Sequence, residues 1–173
     1  IIGNEILTGH NAVAGEFGHM VIVKDGEMCT CGRKGCWEAY TSAVGLIRDT
    51  KRAMQAYPDS LMWKVCPSID DVDGRTCFDA RDMGDAAAQQ LVDDYIDYLA
   101  CGLANIINGL QPEVLCLGGG IANQGEKLLK PLRTKVAKEV YDPREGQSTR
   151  LEQCTLGYKA GLIGAAMLAA TQM

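Results

Sequence analysis

One stretch of the chain concentrates side chains able to hold a soft or borderline metal ion. His19 is followed by Cys29, Cys31 and Cys36, and the three cysteines sit in a loop studded with Gly26, Gly32 and Gly35. Three thiolates and one imidazole are the donor set that closes a tetrahedral structural zinc site. The Cys-x-Cys-x4-Cys spacing differs from the paired Cys-x2-Cys of zinc ribbons, so by itself it also admits three reduced surface thiols beside an unrelated histidine. Clustered exposed thiols without a metal would be an oxidation liability, and the glycines let the loop fold back on itself, which favours Zn2+. The loop has few apolar residues to hold its shape. A structural zinc supplies about 10–16 kcal/mol in small zinc modules, the scale of a whole domain's stability. Two carboxylates, Glu16 and Glu38, bracket the donors; taken alone, such acids are partners of the ligands or solvated charges.

These residues need elements to position them. Residues 1–7 (IIGNEIL) suggest a short hairpin or strand, and 17–23 (FGHMVIV) a second strand ended by Lys24-Asp25-Gly26. A helical stretch is expected from Cys36 onward, broken near Ser42-Ala43 and stopped after Ala56 by Tyr57-Pro58-Asp59. Residues 59–84 read as short helical pieces with a break at Asp70 to Gly74, and Asp79, Arg81, Asp82 and Asp85 as a solvated cluster at a helix start. Ala88, Leu91, Val92, Tyr95, Leu99, Leu103, Ile106, Ile107 and Leu110 recur at three- and four-residue steps, predicting one long helix over 85–110 that Pro112 ends.

Val114 to Leu117 reads as a buried strand running into Gly118-Gly119-Gly120, with a helix over 122–140, a strand near 151–156 and a small-residue helix from Gly161 to Ala170. A glycine triplet between a strand and a helix N-terminus lets an anionic group approach bare backbone; a tight turn is the other reading. Strand, glycine turn and helix flanked by long helices indicate an α/β layer architecture with a mixed sheet, in a single domain over 1–173.

Composition narrows the function classes. With 173 residues, 47% of them apolar, the chain is long enough for a sizeable core. Seventeen basic residues against twenty-two acidic give a net charge of −5, which disfavours nucleic-acid binding by this segment. No apolar run reaches membrane-spanning length. Of the eight cysteines, Cys101 and Cys116 fall in apolar runs that predict buried free thiols. Long helical periodicity argues against a disulfide framework and for the cytoplasm. The chain opens on Ile1 inside an apolar run, so it is read as a piece of a longer protein.

Gly15-Glu16-Phe17-Gly18-His19, followed by Cys29-x-Cys31-Gly32-x-x-Gly35-Cys36-x-Glu38, resembles the signature of the ROK family (repressors, open reading frames and sugar kinases). Leu117-Gly118-Gly119-Gly120-Ile121-Ala122 and Ala160-Gly161-Leu162-Ile163-Gly164-Ala165-Ala166 are similar to later blocks of the same family, in the same order. The resemblance implies the C-terminal lobe of a two-lobed actin-like, ribonuclease H-like sugar kinase fold. It implies that Glu16 and Glu38 hydrogen-bond sugar hydroxyls, and that His19 ligates zinc through one ring nitrogen and faces the sugar with the other. Asn11 becomes a candidate sugar contact and Gly118, Gly119 and Gly120 candidate nucleotide contacts. The implied activity is transfer of a phosphoryl group from ATP with Mg2+ to a hexose, glucose first among them. The alternative is the sugar-sensing domain of a ROK repressor. The family's catalytic Asp lies in the other lobe, so this chain alone is expected to be inactive. A homodimer or homotetramer is the expected assembly.

Overall fold

A computed structural model describes residues 1–3, 5–141 and 148–171. After a loop-rich segment, helices α1 (Glu38–Thr41), α2 (Ala43–Ala56), α3 (Met62–Val65) and α4 (Thr76–Asp82) lead into the long α5 (Ala86–Leu110). Strand β1 (Val114–Leu117), helix α6 (Glu126–Glu139), strand β2 (Arg150–Gln153) and helix α7 (Ala160–Thr171) complete the order.

Helix α5 is the axis of the molecule, and its start shows why it begins where it does. Asp85 caps it, its carboxylate accepting from the N–H of Ala88 at 2.7 Å and from the N–H of Leu61 at 2.6 Å, which satisfies a helix-start donor that has no partner within the helix. The helix ends at Gln111, in left-handed backbone at φ 43°, ahead of Pro112. Between these ends Val92, Ile96, Ala100 and Leu103 are almost fully buried. They pack with Met54, Met62, Phe78 and Leu132, also fully enclosed; burying a side chain of this size stabilises by about 1.5–3 kcal/mol.

The helices lie close to their expected bounds, including the break at Ser42, whose hydroxyl caps α2 by accepting from Gly45 N–H at 3.1 Å. The sheet departs from expectation. β1 and β2 pair in parallel, Val114 opposite Arg150, and antiparallel pairing survives among the described residues only as isolated bridges, Ile2–Glu5, Val21–Cys36 and Met28–Lys34. Asn4, within the expected first hairpin, lies outside the described residues; Gly3 beside it has φ 59°. Cys101 is half-buried rather than enclosed, and Cys116 is exposed because alternate side chains of a strand point to opposite faces and it is Leu115 and Leu117 that pack on the core. The charged cluster also differs: Asp85 is buried as a cap, while Arg81 pairs with Asp82 at 2.8 Å and lies 5.1 Å from the Phe78 ring centre.

Burial opposes the charge on Asp85, but the N–H donations from Ala88 and Leu61 outweigh it and hold the carboxyl below its ordinary value of 3.8. A depressed folded-state value contributes stability that is present above the ordinary value and lost as pH falls through the folded one. Asp85→Ala is expected to cost about 1–2 kcal/mol in denaturant unfolding at neutral pH, and to flatten the loss of stability below about pH 4.

Candidate zinc and sugar site

Gly15 (φ 96°) turns the chain into residues 16–19. Phe17–His19 forms a 3-10 turn, not the expected strand, closed by His19 N–H donating to the Glu16 carbonyl at 3.1 Å. The difference matters for chemistry. A strand would send side chains at odd separation to opposite faces, whereas a 3-10 turn brings i and i+3 onto one side. Glu16 and His19 are so placed: the carboxylate Oε2 lies 3.9 Å from the imidazole Nε2.

The other ring nitrogen points the opposite way. His19 Nδ1 lies 3.6 Å from Cys29 Sγ, and Cys31 Sγ lies 3.6 Å from Cys36 Sγ. The four donor atoms all fall within 4.8 Å of one another, the convergence a tetrahedral zinc would require. Donor chemistry and convergence both fit the metal. Cys29 and Cys36 are buried and Cys31 is exposed. Hydrogen bonding from the Cys31 backbone draws the Cys29 thiol down to about 7, while desolvation pushes Cys36 up to about 11.

Backbone pairing brings the donors together. Trp37 N–H donates to the Met20 carbonyl at 2.8 Å, Cys29 N–H to Arg33 at 2.8 Å and Gly35 N–H to Glu27 at 2.7 Å. The Arg33 guanidinium closes the loop over the histidine, donating to the His19 carbonyl at 3.2 Å. Gly35 is the indispensable glycine: its φ is 80°, and a Cβ there would stand 1.7 Å from the Val23 carbonyl oxygen.

Glu38 opens α1 and is half-buried, with its carboxylate against Gly18, where an added Cβ would meet Oε2 at 3.3 Å. The structure therefore groups Glu16, His19 and Glu38 around the 3-10 turn. Asn11 sits in an exposed turn and makes no hydrogen bond to them among the described residues. The glycine triplet follows β1, with Gly119 at φ 92°, but it leads into a short 3-10 turn over Ile121–Gln124, not directly into α6. It borders a cleft of about 240 Å³ whose opposite wall includes Thr41, Ser42 and Ala43. Sequence reasoning missed this second wall, and it missed Trp37, Tyr95, Tyr98 and Gly102, which seat α1 on α5. The isolated glycine inside a helical pattern was the available signal.

The ROK family model matches residues 1–172, and the chain belongs to the ROK family. It is 36% identical over 163 residues to a glucokinase of Thermotoga maritima, covering 94% of this chain and 51% of that protein. It is 30% identical to a xylose repressor of Bacillus spizizenii, over 95% of this chain and 38% of the repressor. A crystal structure of a ROK family glucokinase from Streptomyces griseus, in complex with glucose and AMPPNP, superposes with a TM-score of 0.86 at 33% identity, over 97% of this chain and 55% of that one. The chain thus spans about half the length of the glucokinases it matches, and its fold is that of one lobe of an actin-like sugar kinase. Among the described residues no helix is long and apolar enough to cross a membrane.

Gly35→Ala is expected to spring the loop apart. Cys36, enclosed in the parent protein, should then react with a thiol reagent under native conditions at least tenfold faster, while the α5 core keeps its helical circular dichroism.

Proposed function

We propose that this chain is the zinc-organised, sugar- and nucleotide-contacting lobe of a ROK hexose kinase, with glucose as the first candidate substrate. The observation that carries the reading is the two-sided imidazole: Nδ1 turned to the sulfurs and Nε2 to Glu16, with Glu38 alongside. A neutral sugar is read by hydrogen bonds, and those made to carboxylates are stronger than neutral ones. Holding one ring nitrogen fixes the imidazole's orientation and leaves the other as an aimed donor. A zinc held by His19, Cys29, Cys31 and Cys36 is closed by four protein ligands, so its contribution is rigidity and not activation of water.

Phosphoryl transfer further requires a phosphate cradle, Mg2+ and a group that takes the proton from the attacking hydroxyl. The cleft at Gly118–Gly120 offers bare backbone for the nucleotide. The proton-accepting Asp and the remaining phosphate contacts belong, on this reading, to polypeptide outside residues 1–173. The proposed assembly is a homodimer or homotetramer in the cytoplasm.

The xylose repressor relative supports a second reading, in which the same sugar grip serves as a sensor. The full-length polypeptide separates the two. Glucose-dependent formation of ADP and a sugar phosphate supports the kinase; saturable sugar binding without turnover, coupled to release of DNA, overturns it in favour of the sensor.

Two measurements bear on the site itself. Elemental analysis should find one zinc per chain, and Cys31→Ser should lose it and lower the melting temperature; thermal stability indifferent to a strong chelator would remove the metal from the account. Glu38→Ala should keep the zinc yet weaken sugar binding by about 10- to 150-fold, the equivalent of about 1.5–3 kcal/mol for a hydrogen bond to a charged group. Unchanged sugar affinity would take Glu38 out of the site.

A further inference from the structure

Trp37 stands between a metal-donor residue, Cys36, and a carboxylate assigned to the sugar, Glu38. Its side chain reaches across the fold to α5. The indole Nε1–H donates to the Tyr98 carbonyl at 2.9 Å, from a residue distant in sequence, and the ring occupies a notch at Gly102. A Cβ at Gly102 would stand 2.0–2.4 Å from three atoms of the indole, so nothing larger than glycine leaves the ring where it is. Glycine inside a helix is destabilising relative to alanine. At Gly102 the cost coincides with the seat of one particular ring.

Two further contacts extend the same grip. The Tyr98 ring lies against Tyr40 with centres 4.4 Å apart, and Tyr95 Oη donates to the Thr41 carbonyl at 3.1 Å. Positions 95, 98 and 102 share one face of α5, at the three- and four-residue spacing of a helix stripe. They hold residues 37, 40 and 41, from the N-cap of α1 to its last residue. A helix this short has almost no stability of its own, so the direction in which Glu38 leaves it is set by what α1 is fastened to.

We propose that Trp37, seated in the Gly102 notch, is a positioning residue of the sugar site: it aims the Glu38 carboxylate beside His19, and without that seat the carboxylate is present but misdirected. This rests on the reading of Glu38 as a sugar contact. Placement matters at this scale because a carboxylate shifted by about 1 Å leaves the 2.7–2.9 Å range of a charge-assisted hydrogen bond.

The test uses the full-length, zinc-loaded protein with three variants: Gly102→Ala, Trp37→Phe and Glu38→Gln. Alanine is the better helix former, so a purely structural view expects Gly102→Ala to be neutral or stabilising. The proposal expects it to weaken sugar binding in calorimetry at least tenfold, raising KM more than it lowers kcat, with one zinc retained. Trp37→Phe keeps a ring and loses the N–H donor, and should weaken sugar binding by a smaller factor. Combining Trp37→Phe with Gly102→Ala should bind sugar better than Gly102→Ala alone, since the smaller ring tolerates the new methyl.

Gly102→Ala with unchanged sugar affinity overturns the proposal, and so does loss of zinc in step with loss of sugar, which would place the effect in the loop and not in Glu38. If Gly102→Ala fails to fold, Trp37→Phe carries the same decision: full sugar affinity overturns the proposal. Glu38→Gln separates the two failures. If it weakens binding and Gly102→Ala does not, only the positioning role falls; if it leaves binding intact, the sugar reading falls and the positioning role with it.

Discussion

Three sulfurs and an imidazole held within 4.8 Å set the terms for everything around them. The two enclosed thiols are driven in opposite directions, Cys29 down by hydrogen bonding from the Cys31 backbone and Cys36 up by desolvation. The loop around them has only a small apolar cluster of its own, Cys29 and Cys36 with Ala39 and Tyr40. A short chain segment in that position holds its shape by backbone pairing and by what its donors bind. Gly35 and the 3-10 turn at Phe17–His19 are both consequences of this convergence, since one lets the loop pass against Val23 and the other turns His19 toward the sulfurs.

The parts of the fold that were legible in the sequence are those dictated by local periodicity and punctuation. Helix α5 is visible because its apolar residues recur at helical steps for its whole length, with Asp85 before it and Pro112 after. The donor residues are visible because cysteine and histidine declare their chemistry by type. The strand expected over 17–23 fails for a physical reason: Val21, Ile22 and Val23 have strand composition, but propensity is a weak preference that tertiary context overrides. There the backbone of Ile22 and Val23 is engaged by the Gly35 carbonyl, and the chain follows the knuckle. The expected strand–turn–helix layer is present, while the antiparallel part of the sheet is reduced among the described residues to isolated bridges, since β-branched runs do not announce their partners.

The mating of α1 with α5 shows in the sequence only as an isolated glycine inside a helical pattern. Neither Trp37 nor Gly102 carries a chemical label, and their meeting depends on how two elements far apart in the chain are packed. Notch and ring are each unremarkable alone; only the 2.0 Å approach of an added Cβ to the indole shows that one was shaped to the other. Functional donors can be read by type, while the residues that aim them are read only from packing.

Helix α1 also relates the two candidate sites. Glu38 at its start is the proposed sugar contact, and Thr41 at its end, with Ser42 and Ala43, lines the same cleft as Gly118–Gly120. Tyr95 meets the cleft end of α1, donating to the Thr41 carbonyl and lining the same cleft. On the proposed kinase reading, the hydroxyl to be phosphorylated and the donor nucleotide must be held at a fixed separation for in-line transfer. A single turn of helix, too short to deform internally and clamped along its length by one face of α5, is suited to hold that separation. A sugar sensor needs no such fixed distance, only a grip whose occupancy shifts the rest of the molecule. On the transfer reading the α1–α5 contact supplies that separation, and on the sensing reading the same contact ties the sugar grip to the core.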